Sequence, residues 1–245
     1  MQSQASDLNK MKTTAIVLSA GKGTRLGADT PKQYIELGGK PILAYSLEAF
    51  EKSNVDEVIV VADDIISVWE NICVKYGFSK VKRAVAGGAE RYDSVMAGLE
   101  AALGSDYVLI HDGARPFITP ETINMMIKQV KKYGACIAGM PVKDTIKIAD
   151  EDGFISSTTE RRLTWQVQTP QCFRSDLIYD AYEQVLDEIE SGAREGSRVT
   201  DDAFVFSEIF PEHKIKLVEA GYDNIKITTQ EDLNYARFLV DSINK

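Results

Sequence analysis

The chain has 245 residues, 44% of them hydrophobic and 27% charged, and a formal net charge of −9. That length and apolar fraction support one substantial core, while the acidic balance sets the chain against nucleic acid and anionic membrane surfaces unless a local basic patch intervenes. Two histidines exclude a multi-histidine metal site, and three scattered cysteines (Cys73, Cys136, Cys172) with no C-x-x-C spacing exclude a disulfide framework or zinc site and point to a reducing compartment.

No window approaches the roughly 18 apolar residues of a membrane span, so the expected location is the cytoplasm. Residues 1–11 lack the apolar core of a secretory signal and read as a disordered tail, which leaves 12–245 as a single domain. Ala15 to Leu18 is a short apolar run that suits a buried parallel strand. Ser19-Ala20-Gly21-Lys22-Gly23-Thr24-Arg25 follows it, small, flexible and basic. Gly21 and Gly23 let the backbone turn tightly and approach a ligand, and exposed N–H groups beside a helix start attract phosphate. Lys22, Arg25 and Lys32 put three cations in one short segment, with Pro31 stiffening the approach to Lys32. The stretch reads as a polyphosphate loop. It is not a Walker A loop, because no Lys-Ser/Thr follows the second glycine at the required gap, and its glycines are one residue too far apart for a dinucleotide fingerprint.

Pro41 to Phe50 reads as a helix and Val58 to Ala62 as a second buried strand. Asp63-Asp64 offers an N-cap for a helix to about Tyr76, ended by Gly77. After a strand at Val81 to Ala86 comes a second glycine-rich turn, Gly87-Gly88-Ala89-Glu90-Arg91, opening a helix that carries Ser94 and runs to about Leu103. Two such turns beyond strand ends suit one ligand with two ends, such as a nucleotide. A fourth strand, Tyr107 to Ile110, leads into His111-Asp112-Gly113-Ala114-Arg115-Pro116. Asp112, just past a buried strand, stands where a magnesium-linked carboxylate or a loop cap is found; His111 reads as a structural neighbour. Thr119-Pro120-Glu121 starts the next helix, and Ala135 to Met140 is a fifth strand.

This alternation means a mostly parallel sheet with helices on both faces. The pattern changes at 141–168, where Thr145 to Ile148 and Phe154 to Thr158 flank the turn signal Asp152-Gly153. A hairpin projecting from an α/β body is expected to be a dimer arm or a lid. Thr164 to Gln168 returns to the sheet. Ser175 to about Ile189 is an amphipathic helix, Thr200-Asp201-Asp202 caps a short one, and Lys214 to Val218 is a strand. On pattern alone Lys226 is a solvated lysine on an edge strand. Thr229-x-x-Asp232 has the form of a capping box for the last helix.

From about Lys12 onward the chain resembles the sugar-alcohol-phosphate cytidylyltransferases, and among them the 2-C-methyl-D-erythritol 4-phosphate enzymes of the non-mevalonate isoprenoid pathway. The resemblance rests on AGKGTRLG with PKQY (Ala20 to Tyr34), GGAERYDSV (Gly87 to Val95), HDGARP (His111 to Pro116), VKDTIK (Val142 to Lys147), QTPQCF (Gln168 to Phe173), VTDDA (Val199 to Ala203) and DNIKIT (Asp223 to Thr228). Ribitol 5-phosphate enzymes share most of these motifs. The resemblance implies a Rossmann-like nucleotidyltransferase fold, a homodimer formed through the arm, and transfer of CMP from CTP to the sugar-alcohol phosphate with Mg²⁺. It further implies that Ala20, Gly21, Gly23, Gly88 and Ser94 hold the nucleotide and that Arg25, Lys32 and Lys226 are the catalytic cations around the triphosphate. Asp112, Arg115, Thr169 and Thr200 would face the acceptor, with Thr145 and Arg161 supplied by the partner's arm. A CTP-binding regulatory protein without catalysis is the rival of another class, and a pure binder has no need of cations flanking the α-phosphate.

Overall fold

The structure, a computed structural model, describes residues 11–21 and 34–243. Its first strand, β1 (Thr13–Leu18), is buried along its whole length. A two-stranded ladder, β2 (Glu36–Leu37) and β3 (Lys40–Pro41), leads into α1 (Ile42–Glu51). Then follow β4 (Glu57–Ala62), α2 (Ile65–Val68), β5 (Val81–Ala86), α3 (Arg91–Ala101), β6 (Tyr107–Asp112), α4 (Pro120–Tyr133) and β7 (Ala135–Pro141). The small hairpin is β8 (Lys147–Ala149) with β9 (Ile155–Thr158). The chain ends with β10 (Trp165–Arg174), α5 (Ser175–Glu190), α6 (Asp202–Ile209), β11 (Lys216–Glu219) and α7 (Gln230–Ile243).

Seven strands form the main sheet in the order β11-β7-β10-β6-β1-β4-β5. Every pairing in it is parallel except those of β10, which runs antiparallel to both β6 and β7. The expected Rossmann-like, mostly parallel sheet is what the chain forms. Because side chains alternate across a strand, Ala15 and Val17 of β1 join one apolar layer with α1 and α4. Ile16 and Leu18 join the other layer with α3, α5 and α6. Continuous apolar strands follow directly from this burial on both faces. A third, smaller cluster joins Leu37 and Ile42 to Ile227, Leu233, Ala236 and Val240. It fixes the segment before α7, and with it Lys226.

Four expectations shift. The strand expected at Tyr107 to Ile110 continues through His111 and Asp112, so Asp112 is the last strand residue, in register with Leu18. The helix expected through Tyr76 loosens into a π-helix at Trp69–Val74. The returning strand does not stop at Gln168; β10 continues through the polar QTPQ run to Arg174, with a register irregularity between Val167 and Gln171. Lys226 does not lie on a strand: 223–229 is irregular chain, attached through the Ile227 N–H to Ala114 O at 2.9 Å.

Candidate active site

The two glycine-bearing turns meet beyond the carboxyl ends of β1, β4 and β5. Ser19 N–H donates to Val61 O (2.7 Å) and Gly87 N–H to Ala62 O (3.2 Å), so both turns are pinned to the end of β4. Gly21 N–H donates to Asp63 Oδ2 at 2.9 Å. A Cβ on Gly87 would lie 2.3 Å from Ala20 Cβ and 2.9 Å from Ser94 Oγ, so only glycine allows this approach. Buried Ser94 donates to Glu90 O (3.2 Å) and accepts from Gly88 N–H (3.1 Å), which shapes the second turn. Ala20, Gly21, Gly88 and Ser94 line a cavity of about 640 Å³.

A second cavity, of about 270 Å³, is lined by Asp112, Arg115, Thr169 and Thr200 together with Gln168, Gln171 and Asp201. The elements around it are stitched by side chains. Gln171 Nε2 donates to Asp201 Oδ2 (2.9 Å), and its Oε1 accepts from Ala203 N–H (2.8 Å), which ties the start of α6 to β10. Arg115 Nη1 donates to Asn224 O at 2.8 Å. Its Nε is buried with no hydrogen-bond partner among the described residues.

Three residues belong to the walls of both cavities: Arg91, Asp112 and Lys226. Asp112 Oδ2 is 2.9 Å from Lys226 Nζ and 3.7 Å from Arg115 Nε, and Oδ1 is 3.7 Å from Arg91 Nε. Burial pushes the Asp112 carboxyl up, but Arg91, Lys226 and Arg115 outweigh it and hold the group well below the usual carboxylate range. Asp112 is therefore a fixed anion among three cations. Arg91 is held in turn by a bidentate pair to Asp202, at 2.7 and 2.8 Å, while Tyr182 donates its hydroxyl to Asp202 Oδ1 at 2.6 Å. Asp202 is fully buried. The pair joins the start of α3, at the first cavity, to the start of α6, at the second.

Sequence reasoning brought together Ala20, Gly21, Gly88, Ser94, Asp112, Arg115, Thr169, Thr200 and Lys226, and all of them line these two cavities. Gly23, Arg25 and Lys32 lie outside the described residues. Thr145 and Arg161 are exposed on the arm and line neither cavity within one chain. Arg91 was missed, although its motif was recognised. Nothing in GGAER says that a buried carboxylate 111 residues later lies opposite. The expectation of Asp112 as a magnesium ligand meets a donor set that does not suit a protein-held metal. Both of its oxygens face cations, and no group of three His, Cys, Asp or Glu side chains converges among the described residues.

Among the described residues, no helix is long and apolar enough to cross a membrane. Residues 13–242 match the IspD family model, described as 2-C-methyl-D-erythritol 4-phosphate cytidylyltransferase. The chain is 46% identical over 231 residues to the protein of that name from Lachnoclostridium phytofermentans, covering 94% of this chain and 96% of that one. It is 48% identical over 225 residues to the one from Lachnospira eligens, covering 91% and 96%. Among solved structures, 4-diphosphocytidyl-2C-methyl-D-erythritol synthase from Anaerococcus prevotii superposes with a TM-score of 0.81 at 34% identity, covering 94% of this chain and 96% of that one. The cytidylyltransferase from Thermus thermophilus gives 0.70 at 28%, covering 94% and 100%. With two adjoining cavities at the expected motifs and a match that spans nearly its whole length, the chain belongs to the 2-C-methyl-D-erythritol 4-phosphate cytidylyltransferase family.

Proposed function

We propose that transfer of CMP from CTP to 2-C-methyl-D-erythritol 4-phosphate takes place where the two cavities meet. The observation that carries this reading is their common wall of Arg91, Asp112 and Lys226. The larger cavity takes CTP, with base and ribose toward Gly88 and Ser94 and phosphates along the Ser19–Gly21 turn. The smaller takes the acceptor, whose phosphate meets Arg115, Thr200 and Lys226. Arg115 Nε, buried and without a hydrogen-bond partner among the described residues, suits an acceptor oxygen.

In the reaction an oxygen of the acceptor phosphate attacks the α-phosphorus of CTP. A new P–O bond forms as the bond to the α,β-bridging oxygen breaks, and pyrophosphate leaves with that electron pair. The nucleophile is already anionic, so the site has no need of a general base. The obstacle is repulsion between two anions. Lys226, with Arg25 and Lys32 of the opening loop, offsets it and stabilises the charge gathered in the transition state. Mg²⁺ fits as part of the nucleotide substrate, held mainly by phosphate oxygens, and it would supply further neutralisation of the triphosphate. Asp112 keeps Lys226 at the junction before substrates arrive.

The arm completes the site across a homodimer. Phe154 (71% exposed), Ile155 (66%) and Leu163 (62%) offer the apolar surface that a second copy would cover, and Arg161 would reach the partner's acceptor cavity. The location we infer is the cytoplasm, in keeping with three buried, unpaired cysteines.

The testing experiment is pyrophosphate release from CTP and Mg²⁺ with methylerythritol phosphate and ribitol 5-phosphate in parallel. Release with the first alone is the expected result. Release with ribitol phosphate alone would overturn the acceptor assignment, and silence with both from a CTP-binding protein would overturn catalysis.

A further inference from the structure

By sequence His111 is a structural neighbour and Thr169 faces the acceptor; in the fold their hydrogen bonds tie the two together. His111 is fully buried at the end of β6, edge-on to Phe50. Its Nε2 lies 3.3 Å from Arg115 O and its Nδ1 3.1 Å from Thr169 Oγ1. Asp112 N–H donates to the same Thr169 Oγ1 at 3.0 Å. A carbonyl oxygen only accepts, so Nε2 carries the ring proton. In the neutral ring Nδ1 then accepts, and its donor is the Thr169 hydroxyl. That hydroxyl has one proton, which is spent on His111, and one of its lone pairs takes the Asp112 N–H. Thr169 O also accepts from Asn224 Nδ2 at 3.0 Å, and Asn224 O receives Arg115 Nη1. The backbone of residues 112 to 115 is thus clamped at both ends, by Thr169 at Asp112 and by His111 at Arg115.

We infer that His111 and Thr169 form a positioning pair. His111, as the Nε2–H tautomer, accepts the hydrogen bond of the Thr169 hydroxyl at Nδ1, and together the two aim Asp112 and Arg115 at the acceptor, so that Thr169 acts through Asp112 and not as a donor to the acceptor phosphate. The inference rests on the proposed acceptor cavity for its kinetic consequence, but not for the tautomer.

The first test needs no variant. The whole sequence holds only two histidines, His111 and His213. Imidazole ¹⁵N spectroscopy of the wild-type protein should therefore show one ring fixed as the neutral Nε2–H tautomer. An Nδ1–H tautomer at His111, or averaging between the two forms, would overturn the pairing whatever the enzyme's substrate. The second test is kinetic, with rates expressed per CTP-binding site. Thr169→Ser should keep kcat within about twofold. Thr169→Val and His111→Leu should each lower kcat about tenfold or more, the scale of one buried hydrogen bond left unmade, with little change in KM for CTP. His111→Asn, whose Oδ1 can stand in for Nδ1 toward Thr169, should recover part of that loss. The double variant should be no worse than the weaker single one. A Thr169→Val protein that only raised KM for the acceptor, additively with the His111 variants, would make Thr169 a direct contact and sink the proposal. If the substituted proteins do not fold, the tautomer alone decides.

Discussion

At the scale of single residues, the junction of the two cavities is governed by charge. Lys226 sits 2.9 Å from Asp112 and shares both cavity walls. Lys226→Ala is expected to lower kcat by roughly 10²–10³, the cost of losing one transition-state charge partner; a pyrophosphate-release assay reads this directly. Asp202 raises a stability question instead. It is fully buried and its charge partner is Arg91. Removing one member of such a pair strands the other, so Asp202→Ala should cost about 3 kcal/mol, read from the midpoint of chemical denaturation. His111 gives a pH dependence with a definite sign. Burial, with help from Arg115 and against Asp112, lowers its pKa from 6.5 to about 4. The unfolded chain then binds a proton that the folded chain refuses between those values, so stability falls as pH drops through that window. Going from pH 7 to 5.5 should cost about 1 kcal/mol from this group, and His111→Asn should flatten that part of the profile. Legibility at this scale divides cleanly. Lys226 and Asp112 were reachable through motifs. Arg91 was not, because its meaning lies in Asp202 and Tyr182, residues brought to it only by the folding of α3 against α5 and α6.

At the scale of elements, the buried strands were the easiest part to read, because helices on both faces force the runs Ala15 to Leu18, Val58 to Ala62 and Ala135 to Met140 to be almost wholly apolar. The far half of β10 was hidden for the opposite reason. Gln168, Thr169, Pro170 and Gln171 carry polar groups and a proline, which argue against a central strand. Here Gln168 bonds Gly221 and Asn224, the Thr169 hydroxyl bonds the end of β6, and Gln171 bonds the start of α6, all beside the smaller cavity, and the register irregularity accommodates them. The segment that breaks strand grammar is the segment that makes the site. The π-helical stretch Trp69–Val74 left no sign in the apolar spacing. Helix α3 shows how tightly these layers fit. A Cβ on Gly98 would fall 2.4 Å from Ile16 Cγ2 of β1 and 3.2 Å from Val61 Cγ2. Gly98→Ala should therefore cost about 1–3 kcal/mol by overpacking, seen as a lowered Tm, despite the better helix propensity of alanine.

At the scale of the whole molecule, the proposed dimer makes the clearest prediction. If each site draws Arg161 from the neighbouring arm, two inactive proteins, Arg161→Ala and Lys32→Ala, should regain activity when their subunits are exchanged, because one site of the mixed dimer is intact. No recovery in a mixture shown by mass to have exchanged would count against the shared site. Phe154→Asp should shift the protein toward monomer in sedimentation without unfolding it, since Phe154 lies 71% exposed outside the main core. The position of a hairpin was legible from the Asp152-Gly153 turn and the change in pattern. Its purpose was not, because an exposed apolar face acquires meaning only from what covers it.

One strand in the sheet runs against its neighbours. β10 starts opposite the end of β7, with Trp165 beside Pro141, and passes Thr169 beneath Asp112 before joining α5. The arm therefore re-enters the body two residues before Val167, on a strand whose next residues line the smaller cavity. Lengthening, shortening or re-registering the hairpin cannot be confined to the proposed subunit contact, because a slip of one residue in β10 would turn Thr169 and Gln171 to the other face. If the arm joins two subunits and the smaller cavity takes the acceptor, as proposed, assembly and acceptor choice are mechanically yoked on one strand, and an engineer or a lineage that alters either must revise both together.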